Sequence, residues 1–229
     1  MKALLYKEFK LAMHPICYVF IFLFPFMVLI PSYPLAIGFI YVLSAYPILF
    51  LGANKGQQSN DLLFSTLLPV RKKDIVLARI ITVGIMHFIY IAMISCLYPV
   101  ALMIQQSAGD GGGEGPQIPG LGLNGFVSII AIGLIGFALA DLIFFPIYYK
   151  KGKSIVASTL LTILGFMIFL GIFTIALPYI PGMEWYNKVL CESGLGIQFA
   201  ILGGALVIYS LIHFLVYKIS ARRLEKVDF

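Results

Sequence analysis

The sequence predicts an all-α membrane protein, a single transmembrane domain over residues 1–229. Three observations predict it: an apolar composition, six long apolar stretches, and a lopsided distribution of basic residues. Hydrophobic residues make up 61% of the 229 and charged residues 11%, whereas a soluble domain carries about 25% charged residues. Mean hydropathy is +0.99. There is too little polar surface to coat a water-soluble fold. The aromatic and β-branched content excludes disorder. Three cysteines in a chain of this length make no disulfide scaffold.

A helix that crosses the hydrocarbon needs ~20 mostly apolar residues. Six stretches qualify, at about 14–30, 35–53, 80–104, 125–149, 154–177 and 195–217. Their apolar runs are continuous, not alternating, which favours helices over a barrel. Pro25 interrupts the first and Pro31 ends it. With Pro47, Pro99 and Pro146, Pro25 predicts kinks, since each proline removes a backbone donor.

Of the 16 Lys and Arg residues, 15 fall on alternate connections: the N-terminus, the second-to-third loop, the fourth-to-fifth loop and the tail. Only Lys188 lies on the other side. The positive-inside rule then places both termini in the cytoplasm of a multi-pass protein of the plasma membrane. The net charge of +6 reports topology, not nucleic-acid binding. On the opposite side, Pro31–Pro34 makes a tight hairpin and Gln105–Leu123 a Gly-rich loop. Pro178–Gly194 is expected to hold a short interfacial helix with Trp185 and Tyr186 at headgroup level.

Before the first span, Leu4, Leu5, Phe9 and Met13 sit near helical spacing, with Lys2, Lys7, Glu8 and Lys10 elsewhere. An amphipathic helix at the inner interface is expected. A Lys-plus-apolar start mimics a signal peptide, but no A-x-A site follows it, so the first span is expected to be retained.

Asn54–Arg79 is the longest cytoplasmic connection. Asn60 or Asp61 can N-cap a short helix by satisfying its free N–H groups. Leu62, Leu63, Phe64, Leu67 and Leu68 form its apolar face, and Pro69 stops it. An exposed apolar helix over 60–68 wants a groove on a partner; lying in the headgroups is the alternative. The basic run Arg71–Lys73 follows, explained equally by topology and anionic lipid.

This segment resembles the pattern L-x-S-L-P-V-S-R-K-E-I-V-L-A-K of small ABC-2 type permeases, the membrane subunits of ABC exporters. Leu68, Pro69, Val70, Lys72, Lys73, Asp74, Ile75, Val76, Leu77, Ala78 and Arg79 fit it, with Asp61 as the upstream acid. Leu67 and Arg71 stand where the family has Ser. The resemblance implies a coupling helix at 60–68 that docks on a cytoplasmic ABC ATPase, and a second permease subunit, identical or related. It also implies ATP and Mg on the partner and no cofactor on this chain. The small size resembles peptide exporters such as phenol-soluble modulin exporters and lantibiotic immunity permeases.

No motor is read in the chain itself. Gly152-Lys153-Ser154 supplies the tail of a Walker A motif, but the first glycine would fall at Ile147, inside an apolar span. No H-E-x-x-H or G-x-S-x-G motif is present, and Cys17, Cys96 and Cys191 lack ligand spacing. The chain is not expected to be an enzyme.

Ionisable residues in the hydrocarbon suggest function. Asp141 lies nine residues from Lys150, or ~13 Å, and His87 eight from Arg79, or ~12 Å. Similar depth makes a hydrogen-bonded pair the hypothesis, against Asp141 bonding a hydroxyl or backbone group of a neighbouring helix or sitting at the watery inner end of its own. His213 is expected to snorkel near the inner end of the sixth span. Gly196-x3-Ala200-x3-Gly204 and Gly136-x3-Ala140 predict close helix packing. The implied function is export of a hydrophobic or amphipathic cargo, membrane-active peptides first. The alternatives are an ion- or proton-coupled secondary carrier using Asp141 and His87, and a non-transporting membrane regulator.

Overall fold

A computed structural model describes residues 2–12, 15–29, 70–107, 125–151, 155–176, 180 and 194–226. The expected coupling helix (Asn60, Asp61, Leu62, Leu63, Phe64, Leu67, Leu68, Pro69), the span at 35–53, Pro47, Cys191 and the segment around Trp185 lie outside them. The described residues are almost entirely helical and contain no strand.

Helix α1 covers Lys2–Lys7 and runs into a π-helical turn, Glu8–Ala12. Helix α2 covers Pro15–Leu23, then tightens to 3-10 geometry over Phe24–Leu29. That change falls where Pro25 removes an α-type donor. Helices α3 (Lys72–Ser107), α4 (Phe126–Lys151) and α6 (Leu195–Glu225) follow the apolar stretches. Between the last two, α5 covers Ile155–Leu170 and continues as a π-helical turn, Gly171–Ala176. Among the described residues, α3 to α6 are the four helices long and apolar enough to cross a membrane. The α2 segment is apolar but shorter.

Helix α4 is the most buried of the four and α6 the least. Phe137, Phe144, Phe145, Tyr148 and Tyr149 of α4 are all buried. Against α3, Tyr98 stacks on Phe126 with ring centroids 3.8 Å apart, and Arg79 lies near Tyr148. The pairing is therefore antiparallel. Against α5, a Cβ at Gly136 would come 2.6 Å from the Phe166 ring, and one at Gly165 2.5 Å from Ile143. Glycine at both positions is what lets these antiparallel helices approach so closely. Against α6 the pairs Asp141–His213 and Pro146–Arg223 advance together, so α4 and α6 run parallel.

The charged ends meet. Arg79, seven residues into α3, forms a bidentate pair with Glu8, Nε to Oε2 at 2.9 Å and Nη2 to Oε1 at 3.2 Å. Lys73 at the start of α3 bridges Glu225 at the end of α6 at 3.2 Å. Arg223 donates to the Pro146 carbonyl at 2.5 Å. The basic segments of the N-terminus, the start of α3, the end of α4 and the end of α6 thus share one end of the bundle. Here the structure differs from the amphipathic pattern expected of residues 2–13. Lys7 and Glu8 face inward, buried with Leu4, because Glu8 has Arg79 to pair with. Tyr6 and Lys10 face outward.

Candidate functional site

Midway along the bundle, α3, α4 and α6 each contribute a polar side chain to one buried spot. Asp141 of α4 is fully buried and His87 of α3 nearly so. His213 of α6 is mostly buried between Asp141 and its own helix. Its Nε2 lies 2.8 Å from Asp141 Oδ2, and its Nδ1 lies 2.9 Å from the Tyr209 carbonyl one turn earlier. A carbonyl only accepts, so Nδ1 carries a hydrogen. The bond fixes the ring's orientation and aims Nε2 at the carboxylate.

His87 sits differently from the expected pair. Its Nδ1 is 3.9 Å from Asp141 Oδ2, within ion-pair range but too long for a hydrogen bond. Instead Nδ1 lies 3.1 Å from the Tyr209 hydroxyl. The His87 ring stacks on Phe137 at 4.3 Å, nearly parallel. Tyr209 in turn stacks on His213 at 3.9 Å. Two aromatic contacts therefore hold both imidazoles in place against a buried carboxylate.

His213 corrects the sequence reading. It does not snorkel: it turns inward because Asp141, 72 residues earlier, needs a donor at that depth. Sequence gave one usable signal, an ionisable ring on an otherwise apolar stretch. The partner was invisible because it depends on α4 and α6 running parallel in contact. Outward of His213 lies an apolar crevice of about 410 Å³ between α3 and α6, walled by Gly84, Phe88, Tyr209 and Phe214 among others. Cys17 is buried and Cys96 exposed.

The helical bundle and its candidate spans agree with the comparison that reaches furthest along the chain. Residues 3–223 match the family model described as ABC-2 family transporter protein. The chain belongs to the ABC-2 transporter family. No curated protein and no solved structure matches it. As an ABC-2 family member it is a multi-pass membrane protein of an ABC transporter, a family whose permeases work with ABC ATPases. The intramembrane cluster is a property of this chain's own residues, and the family match assigns it no role.

Proposed function

We propose that this chain is the membrane-spanning permease subunit of an ATP-driven exporter in the plasma membrane. It crosses the bilayer six times with both termini in the cytoplasm. ATP is bound and hydrolysed on separate cytoplasmic subunits. Each permease offers residues 60–68 to one ATPase, and two permeases enclose the cargo path. The observation that carries this reading is the family match over nearly the whole chain.

The charged end of the bundle supports the coupling step. Leu68 is followed after three residues by Lys72, the first residue of α3. A pull on 60–68 is therefore delivered to the start of α3. From there it passes to α1 through Glu8–Arg79 and to α6 through Lys73–Glu225. ATPase closure would bias the permeases between inward- and outward-facing states through different affinities for the two. Gly196, Ala200 and Gly204 lie on an exposed face of α6, with open space beside both glycines. That face supports close packing with a second permease. A path rich in aromatic and aliphatic side chains suits membrane-active peptides better than ions.

The test is co-expression with a cytoplasmic ABC ATPase of the same organism. Wild type should carry that ATPase through purification. Leu63→Glu places a charge in the docking groove, costs several kcal/mol, and should release it. Normal co-purification of the variant would mean that 60–68 is not the handle. The buried Asp141 cluster favours one rival, an ion- or proton-coupled carrier working alone. That reading requires transport driven by ΔpH with no ATPase present.

A further inference from the structure

We propose that His87, Asp141 and His213 form an intramembrane binding site for a divalent transition metal of the Zn²⁺ or Co²⁺ class. One nitrogen from each histidine and one carboxylate oxygen lie within 4.8 Å of one another, each from a different helix. The hydrogen-bond chemistry points to a positive species among them. His213 Nδ1 is committed as a donor to the Tyr209 carbonyl, so the neutral ring presents the lone pair of Nε2 to Asp141. Asp141, when ionised, presents lone pairs only. Two acceptors 2.8 Å apart need a cation between them, a proton or a metal. His87 Nδ1 faces the same oxygen from 3.9 Å and takes part in the same convergence.

The geometry is close to what a metal requires. Tetrahedral zinc with bonds of 2.0–2.1 Å places its ligand atoms about 3.3 Å apart. Of the three ligand-atom pairs, the one at 2.8 Å must open by roughly half an ångström and the one at 3.9 Å must close by a similar amount, while the two histidine nitrogens, within 4.8 Å, must be drawn together to the same spacing. His87 would exchange its Tyr209 hydroxyl for the ion. Imidazole and carboxylate are the ligand types that zinc and cobalt accept, and three of them leave one position open. The Tyr209 carbonyl accepts from His213 Nδ1 and orients the ring, as metal-bound histidines are usually oriented. The crevice between α3 and α6 reaches His213, whose side chain is 13% exposed. A metal there would staple three spans at mid-depth, independently of any ATPase or cargo.

The experiment uses the full-length protein, purified in detergent with its tag removed and stripped with chelator. Co²⁺ is added, and visible absorption is read. The expected result is one Co²⁺ per chain, with the intense bands of four-coordinate cobalt, displaced by equimolar Zn²⁺. Asp141→Asn and His213→Gln should each weaken binding at least tenfold, and His87→Gln should weaken it less. X-ray absorption of the wild-type Zn²⁺ form supplies a measurement free of folding effects. It should show nitrogen and oxygen ligands with at least one imidazole and no sulfur. Absence of stoichiometric binding would mean that a proton alone occupies the site and would overturn the proposal. So would sulfur ligation, pointing to Cys96, or binding that both Asp141→Asn and His213→Gln leave intact.

Discussion

Arg79 and Glu8 illustrate how a charged pair survives near the end of a membrane bundle. Their side chains are 3% and 5% exposed, and Lys7, buried beside them, reaches the same carboxylate at 3.5 Å. Removing Arg79 takes away the bidentate partner and leaves Glu8 with Lys7 alone, and breaking a buried pair costs up to about 3–5 kcal/mol. Arg79→Met is therefore expected to lower the thermal unfolding midpoint in detergent markedly. The double change Glu8→Gln with Arg79→Met should recover part of the loss, because the buried carboxylate goes with its guanidinium while Lys7 keeps its charge. A silent single variant would show that the pair is not buried in the working protein. Neither partner was legible as such in the sequence. Glu8 reads as part of a polar helix face and Arg79 as one more cytoplasmic cation. Their meeting needs α1 to fold back on α3, 71 residues apart. His213 reads as a snorkelling residue for the same reason: its contact with Asp141 is one that no local pattern encodes. The depth of Asp141 and His87 was readable, because rise per residue converts sequence distance into ångströms.

Helices were legible where lipid dictates them. The apolar stretches locate α3, α4, α5 and α6, yet α3 begins at Lys72 and α6 ends at Glu225, beyond the apolar limits. Hydropathy marks the part of a helix that dissolves in hydrocarbon and is blind to polar turns that continue it. At the start of α3 those turns are secured by the Arg71 carbonyl, which accepts from the N–H groups of Asp74 and Ile75. The small-residue pattern at Gly136 correctly signalled close packing, since Phe166 of α5 fills the space its side chain would occupy. Gly136→Val must displace that ring and should cost roughly 1–3 kcal/mol. Gly204 has nothing within 4 Å, so Gly204→Val should leave the stability of the isolated chain unchanged. Equal effects at the two positions, measured by thermal unfolding, would contradict the helix packing described here.

The molecule as a whole is organised by charge. Its basic segments gather at one end of the bundle, as the Glu8–Arg79 and Lys73–Glu225 pairs show. In the proposed topology, which follows the positive-inside rule, that end faces the cytoplasm. A fluorescent protein fused after Phe229 should therefore fluoresce in the cytoplasm. A cysteine placed at Gly112, in a Cys96→Ser, Cys191→Ser background, should be labelled from outside by an impermeant maleimide. Labelling of Gly112 only after cell lysis would invert the topology. The central claim concerns the energy source. Vesicles reconstituted with the purified chain and a co-purifying ABC ATPase, then loaded with an amphipathic helical peptide, test it most directly. The account predicts peptide movement that requires ATP, persists when ΔpH is collapsed, and disappears with Leu63→Glu. Movement that follows ΔpH in vesicles holding this chain alone would contradict it.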